Sequence, residues 1–264
     1  PRGIQHLNRE NFRLGLGALV SGLLARYLPH GLTLPYLVML AALVIALFAL
    51  AIAPDGRAPV QPRRRYRPQR LRAPARERSR FFAAIAAVFV TFSAGGLLAG
   101  LSGTFLAGPL HHPSAALTGL AIFLTFGSGV VMQTTTTSWP IRRLVAAGIV
   151  MITVGLGVFV TSAWTAPPSL ALFLIGGTLV GGGIGGIFRG SLGVVISTAG
   201  PEDRAGALAT LFMAGYVGVS LPVLGIGVAL HSFSPRVTLL AFGLAVAVAT
   251  LAAAPYLLRQ ESTR

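Results

Sequence analysis

The residues of this chain that most invite a chemical interpretation are the glycines of GGTLVGGGIGGIFRG, residues 176–190. Gly181, Gly183 and Gly186 form a G-x-G-x-x-G pattern, and Glu202 and Asp203 follow roughly 20 residues on, where a dinucleotide-binding fold places its ribose-binding acid. That pattern binds pyrophosphate only when it follows a strand and opens a helix. Here it lies inside an apolar segment long enough to span a membrane. We therefore interpret the glycines as small-xxx-small positions, which allow close helix contact for static packing or for a moving gate.

Other catalytic and metal-binding patterns are missing from the apolar segments of the sequence. The chain has no cysteine and no lysine, which excludes disulfides, thiolate metal sites, a P-loop lysine and a Schiff-base lysine. His30, His111, His112 and His231 fall in turns between segments, at spacings that match no metal site. No Ser/His/Asp set and no pair of carboxylates lies within a segment. The sequence therefore predicts neither an enzyme nor a bound metal or cofactor.

The composition predicts an all-α integral membrane protein. The chain is 54% hydrophobic and only 10% charged, with a mean hydropathy of +0.76, whereas a soluble domain carries about 25% charged residues. Apolar segments long enough to cross a membrane occur at about 12–28, 33–53, 81–108, 115–135, 144–163, 167–197, 207–230 and 237–258. We predict eight spans, and we expect the long third span to bend or unwind near Gly95-Gly96 or Ser102-Gly103.

The arginines fix the predicted orientation of these spans. With eight spans, 18 of the 21 arginines and all six acids fall on one side of the membrane, ten of the arginines lying between Arg57 and Arg80. Arg26 and Arg236 fall on the opposite side, and Arg189 lies within a span. Because cytoplasmic loops carry the excess of basic residues, both ends and the loop at 54–80 are predicted to be cytoplasmic. We expect this loop to contact anionic lipid headgroups of the cell membrane rather than nucleic acid.

A few polar side chains lie inside the predicted spans, and each either bonds to a neighbouring helix or lines a cavity. Arg189 is the charged one, for which we weigh snorkelling to lipid headgroups against pairing with Glu202 or Asp203 in a cytoplasmic gate. These two acids also follow a Gly-Pro pair and suit the start of a helix. The uncharged candidates are Thr91 and Ser93 in the third span, Thr125, Ser128 and Gln133 in the fourth, and Met213, Tyr216 and Ser220 on one face of the seventh.

The arrangement of the predicted spans resembles the major facilitator superfamily, whose members join two six-helix bundles by a long basic loop. Here two spans come before such a loop and six follow it. The chain would then comprise the last two helices of the first bundle (1–53), the central loop (54–80) and the second bundle (81–264), without the first four helices. SWPIRRL at 138–144 falls where the family has an Asp-Arg-Gly-Arg loop, and it keeps Arg142-Arg143 but lacks the acid and the glycine. GPEDRAGA at 200–207 and GYVGVSLPVLGIG at 215–227 resemble the turn before the family's eleventh helix and that helix itself, without its Gly-Pro pair.

The resemblance implies secondary transport of a small organic solute by alternating access. The third and sixth spans would line the path, flanked by the fourth and seventh, and Phe89, Phe92 and Phe188 nearby favour export of an amphipathic compound. The implied cavity or gate residues are Thr91, Ser93, Arg189, Tyr216 and Ser220, and the implied cytoplasmic gate partners are Arg142, Arg143, Glu202 and Asp203. No Asp or Glu lies within a predicted span, so a proton-coupling acid would have to lie in helices before residue 1. The alternatives are a membrane subunit of a multi-component transporter or channel, and a membrane scaffold without transport activity.

Overall fold

The protein is a bundle of long apolar helices in the computed structural model, which describes residues 17, 19–27, 33–52, 77–200 and 202–258. The described residues are 87% helical and contain no strand. The helices, numbered α1 to α7 in chain order, are Leu34–Ile52, Arg78–Ala107, Ala115–Thr135, Ile141–Thr161, Leu170–Thr198, Arg204–Ser232 and Pro235–Leu258. Helices α2 to α7 are long and apolar enough to cross a membrane, so the chain is an α-helical, multi-pass membrane protein.

The central helices of the bundle are α2 and α5. Helix α2 contacts α3, α5, α6 and α7, and α5 contacts α2, α3, α4 and α6. Their placement follows from their side chains, since α5 is rich in glycine and α2 in small and aliphatic residues, and both are more buried than the other helices. The rings of Phe159 on α4 and Phe173 on α5 pack at 4.6 Å between centroids and anchor one side of α5.

Helix α5 lies close to α4 because each contributes glycine where the two backbones meet. A Cβ atom added at Gly183 would lie 2.6 Å from the carbonyl oxygen of Gly148 on α4. A Cβ at Gly155 on α4 would lie 2.7 Å from the backbone nitrogen of Val180. Both distances are too short for a real side chain, so the glycines of α5 serve helix packing. This confirms the interpretation of the glycine pattern, which lies in mid-helix and does not follow a strand.

The long helix α2 runs without interruption over 30 residues, so the unwinding expected near its glycines does not occur. Gly96 instead allows close packing, since a Cβ there would lie 2.8 Å from the carbonyl oxygen of Val219 on α6. Serines start three of the other helices, and at α7 the hydroxyl of Ser234 accepts a hydrogen bond of 3.4 Å from the backbone N–H of Val237. The hydroxyls of Ser114 and Ser169 accept hydrogen bonds, each 3.3 Å long, from backbone N–H groups in the first turns of α3 and α5. Helix α5 therefore begins after Ser169 and not at the preceding proline pair.

The part of the chain before α2 is described in two pieces. Residues 19–27 are helical, and this segment packs on the start of α3, because a Cβ added at Gly22 would lie 2.6 Å from the carbonyl oxygen of Ala115 and 3.1 Å from the Cα of Gly119. Helix α1 is apolar, nearly all of its described side chains are exposed, and it makes no packing contact with α2 to α7 among the described residues. Most of the basic loop at 54–80 lies outside the described residues.

Candidate functional site

A cavity of about 320 Å³ lies among α2, α3, α5 and α6. Each helix contributes residues at helical spacing, so that one face of each points to the cavity. Helix α2 contributes Phe92, Gly95, Gly96 and Ala99, α3 contributes Thr125, Phe126, Gly129 and Gln133, α5 contributes Gly181, Ile184, Gly185 and Phe188, and α6 contributes Phe212, Tyr216 and Val219. The cavity is the size of a small-ligand site, and none of the described residues that line it is charged.

Aromatic rings form one side of the cavity. The centroids of Phe92 on α2 and Phe188 on α5 are 5.4 Å apart, and those of Phe188 and Phe212 on α6 are 6.1 Å apart. These separations are typical of interacting aromatic pairs. The three rings join three helices and offer an apolar surface to a bound molecule. Phe89, which the sequence also placed near a cavity, does not line it, since its backbone lies against Gly218 of α6.

The opposite side of the cavity is made of glycine and a few polar groups. A Cβ added at Gly181 would overlap the carbonyl oxygen of Thr125, and one at Gly185 would overlap the backbone of Gly129. Helices α3 and α5 can therefore approach as closely as they do only with glycine at these positions. The hydroxyl of Ser128 donates to the carbonyl oxygen of Thr178 at 2.8 Å and joins α3 to α5 directly.

Three polar side chains line the cavity, and their bonding differs. The hydroxyl of Thr125 donates to the carbonyl oxygen of Ala121 at 3.0 Å, as threonine commonly does within a helix. Tyr216 is 70% exposed. Gln133 is only 6% exposed, yet its side-chain amide makes no hydrogen bond to any residue that the structure describes. Gln133 is therefore the one buried polar lining group whose hydrogen-bonding capacity is left open.

Arg189 lies beside this cavity and holds the end of α3. Its guanidinium donates to the carbonyl oxygens of Gln133 at 2.9 Å and Thr137 at 3.0 Å, and to the hydroxyl of Thr136 at 3.4 Å. The last carbonyls of a helix have no partner within it and form the negative end of its dipole. The positively charged guanidinium of Arg189 therefore stabilises the C-terminus of α3.

The expected gate pair of Arg189 with an acid is not formed in this structure. The guanidinium bonds to α3 and not to Glu202 or Asp203, and pairing in another conformation stays a prediction. Asp203 occupies the N-cap position of α6, where the carbonyl oxygen of Gly200 accepts hydrogen bonds from the backbone N–H groups of Asp203 and Arg204 at 3.1 and 3.0 Å. This agrees with the interpretation of the acids as part of a helix start.

The remaining predicted site residues are divided between the cavity and other places. Tyr216 lines the cavity, whereas Thr91 and Ser93 do not. Both are buried in α2, and their hydroxyls donate to the carbonyl oxygens of Val88 at 3.1 Å and Phe89 at 2.7 Å on the same helix. Their hydrogen-bonding needs are met locally, which leaves little for a solute to bind.

Ser220 and the paired arginines also lie away from the cavity. The Ser220 hydroxyl is exposed and donates to the carbonyl oxygen of Tyr216 at 2.8 Å. Arg142 and Arg143 are exposed in the first turn of α4. The guanidinium of Arg143 lies 4.3 Å from the ring centroid of Trp139, a cation–π contact that ties the short turn between α3 and α4 to the helix.

The spacing of three residues in the sequence indicates the face of α3 that lines the cavity, although their residue types do not. Thr125, Gly129 and Gln133 recur every four residues, which places them on one face of α3, and all three line the cavity. Thr125 and Gln133 were recognised as polar residues within a span, but nothing in their type distinguished a cavity residue from one that bonds to a neighbouring helix.

Comparisons with protein families, with characterised proteins and with solved structures gave no match to this chain. Among the described residues, no group of three His, Cys, Asp or Glu side chains is placed to hold a metal ion. The function proposed below therefore depends on the geometry of the cavity and on the pattern of the sequence.

Proposed function

We propose that the chain is a secondary transporter of the major facilitator type, which moves a small organic solute across the cell membrane by alternating access. The observation that carries the proposal is the cavity of about 320 Å³ inside a bundle of apolar helices. Helices α2 and α5 correspond to the third and sixth predicted spans, and α3 and α6 to the fourth and seventh. These are the helices that the resemblance assigns to the lining and the flanks of a transport path.

The proposal includes eight spans, of which α2 to α7 form the second bundle. The helical residues 19–27 and helix α1 are the two preceding spans, and residues 54–80 are the basic loop between bundles. The charges support cytoplasmic ends, since short loops rich in arginine stay on the cytoplasmic side. The proposed partners are thus membrane lipids, with anionic headgroups at the basic loop, and the solute itself.

With this orientation, the cavity extends from the middle of the bundle toward its cytoplasmic side. Gln133, Phe188 and Phe212 lie in the cytoplasmic parts of their helices, whereas Phe92 lies at the middle of α2 and Ala99 lies beyond it. The outward start of α3 is covered, because the segment at 19–27 packs there through Gly22. Contact at the outer end combined with a cavity that reaches the middle of the bundle fits a carrier whose solute site lies near the membrane midplane, which supports alternating access.

The chemistry of the path supports an amphipathic organic solute and export from the cell. Among the described lining residues, phenylalanine and glycine are the most frequent, three side chains are polar and none is charged. A sugar or a multiply charged anion would need several polar or charged partners, because burying polar groups without partners is costly. An amphipathic compound places its apolar part on the rings and needs few hydrogen bonds.

A direct test of alternating access uses single cysteines, since the chain has none of its own. Ala99 lines the cavity and is exposed. Ala86, on the same helix, is exposed without lining it, and is the matched control. We expect Ala99→Cys to react with a membrane-impermeant thiosulfonate added to either side of the membrane, and Ala86→Cys to react from neither. A rigid scaffold with the same cavity would leave position 99 reactive from one side at most, and that result would contradict the proposal.

A further inference from the structure

The Gln133 side chain is the unusual polar group of the cavity. It is 94% buried, given its exposed fraction of 6%, and its amide can donate two hydrogen bonds and accept two. None of these is made with a described residue. Most other buried hydroxyls of the described bundle, such as those of Thr91 and Ser93, donate to carbonyls of their own helix, and the unpartnered ones of Ser191 and Thr238 do not line the cavity. The amide atoms are not among the fully buried unpartnered atoms of the described residues, so they stay accessible from the cavity, and this position is suited to a partner that enters it.

The groups around Gln133 restrict what that partner can be. Phe188 and Phe92 form an aromatic surface among the lining residues of the same cavity, to which a planar or aromatic group can bind. The amide of Gln133 comes from α3 and the ring of Phe188 comes from α5. The cavity therefore offers an apolar surface together with one amide that can form hydrogen bonds. A molecule that uses both has an aromatic part and a polar edge with a donor and an acceptor.

The charges near the cavity argue against a charged solute. No Asp or Glu lies among the described residues that line it, so a cation held there would be buried without a counter-charge from them. The nearest positive group is the guanidinium of Arg189, whose hydrogen bond to the carbonyl oxygen of Gln133 is 2.9 Å long. That charge repels a cation further. It is also committed to the end of α3 through three hydrogen bonds, and is therefore poorly placed to receive an anion.

We infer that Gln133 selects the solute, and that the solute is an uncharged amphipathic molecule with an aromatic ring and a carboxamide-like edge. This inference rests on the proposed function, because it assumes that the cavity is the solute site. The Gln133 amide donates to and accepts from the polar edge of the solute, while the phenylalanine rings hold its apolar part. Arg189 acts as a positioning residue, since it fixes the end of α3 on which Gln133 lies.

Three compounds on one skeleton test the inference. N-acetyl-phenylalaninamide is neutral, N-acetyl-phenylalanine is an anion, and N,N,N-trimethyl-phenylalaninamide is a permanent cation. Radiolabelled N-acetyl-phenylalaninamide is bound to the purified full chain in lipid nanodiscs, and the other two compete with it. We expect the neutral compound to bind at least tenfold more tightly than the cation, with the anion between them.

Two substitutions at the same position then distinguish a selecting residue from a packing residue. Gln133→Leu removes the hydrogen bonds and is expected to weaken binding of the neutral compound about tenfold or more, as loss of a buried hydrogen-bonding partner does. Gln133→Glu keeps the shape and adds a negative charge, and is expected to reverse the preference in favour of the cation. Thr134→Val changes an exposed neighbour that does not line the cavity, and should leave binding unchanged.

The outcomes separate this inference from the proposed function. If Ala99→Trp, which fills the cavity, abolishes binding while Gln133→Leu and Gln133→Glu bind like the unchanged chain, the cavity is the site and Gln133 does not select. If Ala99→Trp leaves binding intact, the cavity is not the solute site and the proposed function loses its basis. Failure of all three compounds to bind contradicts the solute class.

Discussion

The contact of α4 with α5 can be tested by placing one methyl group at either of two neighbouring glycines. Gly155 and Gly157 both lie on α4. A Cβ at Gly155 would lie 2.7 Å from the backbone nitrogen of Val180 and 3.0 Å from the carbonyl oxygen of Gly176, whereas a Cβ at Gly157 would meet nothing within 4 Å. Gly155→Ala and Gly157→Ala are therefore the same chemical change on the same helix, one in a tight contact and one in open space.

The structure predicts which of the two variants is less stable and by how much. Since ordinary contacts begin at 3.4 Å, α5 must move by about 0.7 Å to accept the methyl group that Gly155→Ala introduces, and overpacking of this kind costs about 1–3 kcal/mol. Both variants gain roughly 1 kcal/mol from replacing glycine within a helix, so this gain cancels in the comparison. We expect Gly157→Ala to be neutral or stabilising, and Gly155→Ala to be less stable than Gly157→Ala by about 1–3 kcal/mol.

Thermal unfolding of the detergent-purified chain, followed by the fluorescence of Trp139 and Trp164, measures this difference. At about 2–4 °C per kcal/mol for a chain of this size, the two melting temperatures should differ by several degrees, with Gly155→Ala the lower. Equal melting temperatures would refute the close approach of α4 and α5, and with it the reason given for the glycine content of α5.

Three further predictions follow from other contacts. Arg189→Ala removes three hydrogen bonds to the end of α3 and should lower the free energy of unfolding by about 1–3 kcal/mol. Arg189→Lys keeps the charge but not the planar guanidinium and should lower it less, so equal melting temperatures for the two variants would contradict the capping role. Gly22→Leu should separate the segment at 19–27 from α3 and so reduce solute transport. Gly17→Leu is the control, since a Cβ there meets nothing within 4 Å, and equal transport in both variants would refute the contact. A cysteine at Tyr66 should be protected from an impermeant reagent in intact cells and one at His112 should react, and the opposite result would reverse the orientation.

The positions of the helices were largely predictable, because each helix coincides with a run of apolar residues. A run of apolar residues with polar or proline-containing ends predicts a span, and α3 and α7 lie close to the expected limits. The unwinding considered for α2 does not occur, because glycine within a helix has two possible uses. At Gly96 it allows α6 to approach, and the sequence of α2 alone does not contain the position of α6.

The cavity was less predictable, since its lining depends on how four helices are rotated against one another. Thr91 and Ser93 were expected there from their polarity, but they lie on other faces of α2 than Phe92 and bond within the helix. Gln133 was visible as a polar residue within a span, yet only the packing of α3 on α5 shows that its amide bonds to no residue that the structure describes. The contact of Arg189 with the end of α3 joins residues more than 50 positions apart, which local patterns do not reveal.

Counterflow in proteoliposomes tests the central claim most directly, because a carrier that alternates between two states exchanges solute across the membrane and a channel or scaffold does not. Liposomes that contain the purified full chain are loaded with unlabelled N-acetyl-phenylalaninamide, and the entry of labelled compound is followed without ATP. We predict that internal compound accelerates entry several-fold, that Ala99→Trp abolishes the acceleration, and that Ala86→Trp keeps it. Entry that is the same with and without internal compound, and the same in both variants, would contradict the proposal that this cavity belongs to a transporter.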